Sequence, residues 1–318
     1  MNRVTVANVC ALALALGLTI QLGRGPDRDG RARGRHATLA DARAAAASRD
    51  DILDATGYLV PRRHYARIVS TNLVTDRLLL ELAEPDRVLA FSRAAVERPQ
   101  EGYRYGGRPV VDGFGPVEAL IAMRPDLVLT NSFGAPGRAA KLRAAGIEVF
   151  DFGELRGVDS LVNLARTLGD LLGQPARAQN FVRTFVQRME SVASGLAGRP
   201  RKTALFLSTI GNQVQGGTAG TALHDVLVAA GLIDVAAAQY RDWPSYSAEQ
   251  LLALSPDLIV TKQGMSALVC AFPGADRLSA CAEPGRIIEL PGELLDEPGP
   301  AMLDAAEAIY RQTYGARE

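Results

Sequence analysis

Little in this chain suits a catalyst or a metal centre. It holds three histidines, three cysteines and one tryptophan among 318 residues. His36, His64 and His224 are scattered along the sequence, whereas a zinc or manganese site needs several histidines and carboxylates converging on one point. Net charge is lacking too: 35 Lys+Arg balance 35 Asp+Glu, so no overall field draws the chain to nucleic acid. The glycine-rich GNQVQGGTAGTALHDV, residues 211–226, lacks the Lys-Ser/Thr of a Walker loop and the G-x-G-x-x-G of a dinucleotide site. Its glycines suit tight turns and close backbone approach instead. With no nucleophile–base pair evident, the chain reads as a non-enzyme that needs no cofactor.

The N-terminus is uncharged over VTVANVCALALALGLTIQLG, residues 4–23, after a single arginine. Residues 1–23 therefore read as a signal peptide or an N-terminal anchor. The run is close to the ~20 residues that span a bilayer, and IQLG is a poor cleavage site, so both fates stay open. Residues 24–49, rich in Arg, Ala and Gly without apolar periodicity, read as a solvated spacer. Cys10 lies inside the apolar run, which leaves Cys270 and Cys281 close together in sequence. In an exported chain they would form a disulfide closing a short loop, worth roughly 2–3 kcal/mol. Two separate buried thiols are the competing reading.

From about residue 50 short apolar runs alternate with helical patterns, and 47% of the residues are apolar. Strand candidates end at Ser70 and cover 87–91, DLVLT, IEVFDF, KTALFLS, DLIVT and RIIEL; helical spacing lies between them. Such alternation implies mostly parallel sheets with helices on both faces. The grammar occurs twice, giving α/β lobes over 50–173 and 198–318. A segment over 174–197, opened by Pro175, reads as one long amphipathic helix of roughly 30 Å between them.

One stretch is written twice. VEALIAMRPDLVLT (117–130) and AEQLLALSPDLIVT (248–261) share Glu118/Glu249, Leu120/Leu251, Ala122/Ala253, Pro125/Pro256, Asp126/Asp257, Leu127/Leu258 and Thr130/Thr261. The leucines, alanines and prolines serve packing and the turn. The glutamates are not needed by a core.

RIVSTNLVTDRLLLEL, PVVDGFGPVEALIAMRPDLVLT, LRAAGIEVF, the long helix, WPSYSAEQLLALSPDLIVT and RIIELPGELLDEPGPAMLDAAEAI occur in an order that resembles one family. It is that of the substrate-binding proteins of bacterial ABC importers for cobalamin, haem and iron–siderophores. The resemblance covers roughly residues 60–315. It implies two Rossmann-like lobes joined by one long helix, a ligand held between them, and a periplasmic or extracytoplasmic setting. It also implies that Glu118 and Glu249 dock onto basic residues of the membrane permease. Two carboxylates fixed on rigid lobes would govern orientation and on-rate. The competing reading is that they merely match the dipoles of their helices.

Ligands of open α/β sheets bind beyond the carboxyl ends of the strands. The loops there include Ser70–Asn72, Phe91–Arg93, Gly113–Gly115, Asn131–Phe133, Phe152–Glu154, Ser208–Gly211, Gln215–Gly217, Tyr240–Tyr246 and Lys262–Met265. Aromatics and small polar groups among them suit a large flat ligand. The candidates are Trp243, Tyr246, Phe114, Tyr103, Tyr105, Phe133, Ser70, Asn72, Gly216 and Gly217. Trp243, in DWPSYSAEQ, resembles the Trp-Pro pair of cobalamin-binding members, whose indole packs on the ligand. A corrinoid is the preferred ligand. Haem, with a tyrosine as axial group, and a ferric siderophore, held by Arg93, Arg241 or Lys262, remain alternatives. So does a membrane-tethered sensor using the same clamp, should residues 4–23 be retained.

Overall fold

A computed structural model of the chain describes residues 51–98, 102–131, 137–196, 198–296 and 298–315, the side chain of Tyr103 excepted. All of them belong to one compact unit. The expectations for residues 1–49 and for Phe133 lie outside the described residues.

In the first half, five parallel strands form one sheet in the order Val110–Val111, Val88–Ser92, Ile68–Ser70, Leu127–Thr130 and Glu148–Asp151. The sheet is buried on both faces, which explains its continuous apolar runs. Successive side chains alternate in direction. Leu127 and Leu129 enter one core with Ile68, Phe91 and Phe150, while Val128 enters another with Val69, Ala90 and Val149.

The second half repeats the plan with four parallel strands, in the order Ile233–Asp234, Thr203–Phe206, Leu258–Lys262 and Ile287–Leu290. A three-stranded antiparallel sheet is added to it: Ser245–Tyr246, Gln213–Gln215 and Ser208–Ile210. The chain is thus α/β with two Rossmann-like lobes and mostly parallel sheets. A short hairpin, Asp51–Leu53 with Leu59–Pro61, precedes the first lobe.

The duplicated stretch folds identically in its essentials. Helices Val117–Ala122 and Ala248–Leu254 each end in a left-handed residue, Arg124 (φ 50°) and Ser255 (φ 40°), followed by proline. A non-glycine residue held there costs roughly 1–2 kcal/mol. The aspartate after each proline ties down the neighbouring strand. Asp126 accepts from the amides of Ala66 (2.7 Å) and Arg67 (2.9 Å) just before Ile68–Ser70. Asp257 accepts from the Thr203 amide (2.8 Å) and hydroxyl (2.7 Å) where Thr203–Phe206 begins. Both repeats therefore couple a sharp helix end to the register of a parallel strand pair.

The lobes are bridged by helix Pro175–Ser191, whose 17 residues span about 25 Å. It is shorter than the sequence pattern suggests, because SVASGLAG brings serine and glycine, which favour non-helical turns, and the chain tightens into a 3-10 turn at Ser194–Leu196. Covalently the chain crosses once, but packing between the halves is broader. One continuous core joins Leu168 and Leu171 of helix Val158–Leu171, Phe185 and Met189, Val226 of helix Ala222–Ala229, and Ile309 of helix Ala301–Tyr314. Arg188 adds an ion pair to Glu307 at 2.8 Å. At the start of Val158–Leu171 the Val158 amide donates to Asp225 Oδ2 of the other half (2.7 Å). A Cβ at Gly157 would lie 2.1 Å from that oxygen, so only glycine admits the contact.

Candidate functional site

A cavity of about 1180 Å³ opens between the halves. Its first wall is built at the carboxyl ends of the first-lobe strands. Thr71 and Asn72 follow Ser70, Asp112–Phe114 follow Val111, Asn131 follows Thr130, and Phe152 and Glu154 follow Asp151. The opposite wall has Trp243, the segment after strand Ile287–Leu290 (Pro291, Glu293, Leu294, Asp296) and Arg311 of the closing helix.

Two aromatic side chains stand out. Phe114 is 83% exposed and Trp243 51%, and both face this cavity. Two large apolar groups left in water at the rim of one cleft are what an apolar ligand face could cover. The loop carrying Phe114 is short and tied at several points. The Phe114 amide donates to Asp112 Oδ1 (2.9 Å), and the Gly115 amide to the Asp112 carbonyl (3.1 Å). A Cβ at Gly113 would lie 2.3 Å from the Thr71 carbonyl, so the loop lies directly on the end of the central strand. Trp243 is set by Asp242, whose amide donates to Ala219 O (2.9 Å) and whose carbonyl accepts from Thr218 (3.0 Å). Its ring stands edge-on to Phe206, centroids 6.2 Å apart, and closes over Gly217.

Other candidates fall elsewhere. Asn72 lines the cavity floor, and its Oδ1 accepts from Thr75 N (3.1 Å) to cap helix Leu73–Leu82. Ser70 lies beneath the floor, fully buried against the Thr75 hydroxyl at 2.6 Å. Tyr105, expected at the ligand, is a core residue: the turn Gly102–Tyr105 tucks its ring edge-on to Phe91, centroids 4.9 Å apart. Tyr246 is likewise interior. Its strand pairs with Gln213–Gln215, which turns the ring inward onto Tyr240, and burial drives its phenol well above the ordinary pKa. Gly216 serves backbone packing, since a Cβ there would lie 2.0 Å from the Phe206 carbonyl. Neither it nor Gly217 is part of the cavity lining.

The second-lobe wall also departs from expectation. Of the anticipated loops only the one bearing Trp243 reaches the cavity; Ser208–Gly211, Gln215–Gly217 and Lys262–Met265 do not. The segment from Pro291 takes their place. A signal for it existed, because RIIEL reads as a strand and the same carboxyl-end rule applies to it. Arg138 and Arg311 are helical and carry no such signal.

Among the described residues, four arginines (93, 98, 138 and 311) and six carboxylates (97, 112, 154, 293, 296 and 304) line the cavity, so these walls carry no positive excess. Arg93 is paired with Glu97 at 2.5 Å. The described lining residues include no His, Tyr, Cys or Met. His224 is engaged elsewhere, its Nδ1 2.8 Å from Asp234. No group of three or more His, Cys, Asp or Glu among the described residues could hold a metal ion.

Glu118 and Glu249 lie exposed in the first turns of the duplicated helices. The Glu249 carboxyl is held below its usual range by its own backbone amide and by the Ser247 hydroxyl, which donates at 2.8 Å. Cys270 and Cys281 form a disulfide, Cα atoms 5.6 Å apart.

Comparison with known proteins places this geometry. The periplasmic binding protein family matches residues 68–292. The cobalamin-binding protein of Halobacterium salinarum is 29% identical over 223 residues, 68% of this chain. The match covers 56% of that relative, so the chain spans little more than half its length. Among solved structures, a possible iron-binding (periplasmic solute-binding) protein from Staphylococcus epidermidis superposes with a TM-score of 0.70 at 17% identity, covering 79% of this chain and 100% of that one. The periplasmic heme-binding protein RhuT from Roseiflexus sp. RS-1, in apo form, gives 0.64 at 23% identity, covering 77% and 98%. At these identities the likeness concerns the fold. With two α/β lobes, a bridging helix and the family match spanning well over half of its length, the chain belongs to the periplasmic binding protein family.

Proposed function

We propose that the protein captures a large metal-chelate ligand, a cobalamin-type corrinoid, between its lobes and delivers it to an ABC importer. The observation that carries this reading is the placement of Phe114 and Trp243 in one cavity of about 1180 Å³. An extended macrocycle offers faces and edges to two such rings. A corrinoid brings its own metal ligands, which suits described walls without His, Tyr, Cys or Met. Haem would draw an axial ligand from the protein, and an anionic siderophore would favour a positive excess. A haem carrier is the second reading, favoured by the likeness in fold to a heme-binding protein. Calorimetry of the chain with cyanocobalamin, haemin and a ferric siderophore separates them. Tight haemin binding without corrinoid binding rejects the preferred ligand.

The delivery step assigns Glu118 and Glu249 to docking on basic residues of the permease. Both are exposed, and each occupies the equivalent position of a duplicated rigid unit. Reversing both charges should abolish uptake in cells while leaving ligand affinity unchanged. Normal uptake by the double variant removes the docking role. The setting is extracytoplasmic, with the N-terminal apolar run as leader or tether. Fractionation of cells expressing the full chain distinguishes a released protein from a membrane-bound one.

A further inference from the structure

Phe114 projects into the cleft with 83% of its surface exposed, so its own packing cannot hold the ring in one orientation. The orientation has to come from the backbone of the Asp112–Gly115 loop. Among the described residues, the side chain that hydrogen-bonds to that backbone from another element is Arg138, near the start of helix Gly137–Ala144. Its Nη1 donates to the Gly115 carbonyl and its Nη2 to the Asp112 carbonyl (3.4 Å), so one guanidinium spans both ends of the loop. The group is partly withdrawn from water to do this. Burial pulls its pKa below the ordinary arginine value, and the charges of Asp112 and Glu118 oppose that pull.

We propose that Arg138 is a positioning residue for ligand binding, clamping the Asp112–Gly115 loop by its two carbonyls so that Phe114 meets the ligand already oriented. This rests on the reading of the cleft as the ligand site. The physical advantage is preorganisation: a ring fixed before binding loses less freedom when the ligand arrives. The planar fork matters as well as the charge, because a lysine ammonium cannot address two carbonyls with the same geometry. Arg138 also lines the cleft, so a direct charge contact with the ligand is the rival role, and the test is built to tell the two apart.

The experiment titrates cyanocobalamin into the full chain by calorimetry and follows amide exchange of the loop. Arg138→Ala should weaken binding roughly tenfold, and Arg138→Lys should recover only part of the loss. Phe114→Ala should weaken binding by itself, and adding Arg138→Ala to it should then cost less than about twofold more, since the clamp acts through the ring. Losses that multiply independently overturn the proposal in favour of direct contact. Exchange at the Phe114 and Gly115 amides should quicken in Arg138→Ala, and unchanged protection overturns the clamp whether or not any ligand binds. If the native chain takes no cyanocobalamin but exchange quickens as stated, the corrinoid reading falls and the clamp stands.

Discussion

Arg156 of the first lobe meets Asp242 of the second, Nη1 to Oδ1 at 2.9 Å, one residue before Trp243. The second arm of Arg156 holds Glu154 of the cavity wall at 3.2 Å, so the arginine ties one wall to the segment that carries the other. Asp242 makes the contact from a left-handed backbone (φ 59°). Both partners are more than half exposed, and such pairs contribute only about 0–1 kcal/mol to stability. Arg156→Glu is therefore expected to change the unfolding free energy by less than about 1 kcal/mol while speeding ligand release. Stopped-flow release of cyanocobalamin checks this, and equal rates in both proteins would deny the pair any role at the mouth.

Trp243 is the sole tryptophan of the chain, so tryptophan emission, excited apart from that of the eight tyrosines, reports on the cleft. Ligand binding should quench or shift that emission. Trp243→Ala should weaken binding roughly tenfold or more, with little change in melting temperature because half of the side chain is already in water. A variant that keeps native affinity would place the ligand away from this wall.

Asp257 supplies the clearest pH signature. Hydrogen bonds from the Thr203 amide, and then from its hydroxyl, hold its carboxyl below the ordinary value of 3.8. A depressed folded-state pKa means that the stabilisation is present above the unfolded pKa and is lost as pH falls through the folded one. The contribution should thus be complete at neutral pH and start to be lost as pH falls below about 4. Asp257→Asn should destabilise the protein at pH 7 by about 1 kcal/mol and flatten its acid limb. Denaturant midpoints at pH 7 and pH 3 measure both, and an equal deficit at the two values would contradict the assignment.

The disulfide Cys270–Cys281 joins two residues 11 positions apart in the second lobe. Reduction, or replacement of both cysteines by alanine, should cost roughly 2–3 kcal/mol. Ligand affinity should persist at temperatures where the reduced chain remains folded, since neither cysteine lines the cleft. Chemical denaturation with and without reductant gives the first quantity and calorimetry the second.

What could be read in the sequence is what local periodicity and repetition encode. The continuous apolar runs around Leu127–Leu129 and Leu258–Val260 announced two-sided buried strands, and the repeat announced two lobes. The close spacing of Cys270 and Cys281 suggested their bond. Glu118 and Glu249 stood apart because a core has no use for them. The loops of Phe114 and Trp243 were singled out by the rule that ligands of such sheets bind beyond the carboxyl ends of the strands, and both residues line the cavity.

Direction of side chains was not legible where elements are too short to show a period. Tyr105 sits in a four-residue turn and Tyr246 in a two-residue strand, and in each case the neighbouring element, Phe91 or Tyr240, turns the ring inward. Contacts made across long separations were equally hidden. Asp225 caps a helix 67 residues away, Arg138 grips a loop 23 residues away, and Arg156 reaches Asp242 across 86. The sequence by itself determined the alternation of strands and helices, the duplication and the identity of the rim aromatics, because these follow from neighbours along the chain. Only the tertiary structure decided which walls close on one another and which arginine holds which loop, because those contacts depend on how two sheets pack about their shared helices.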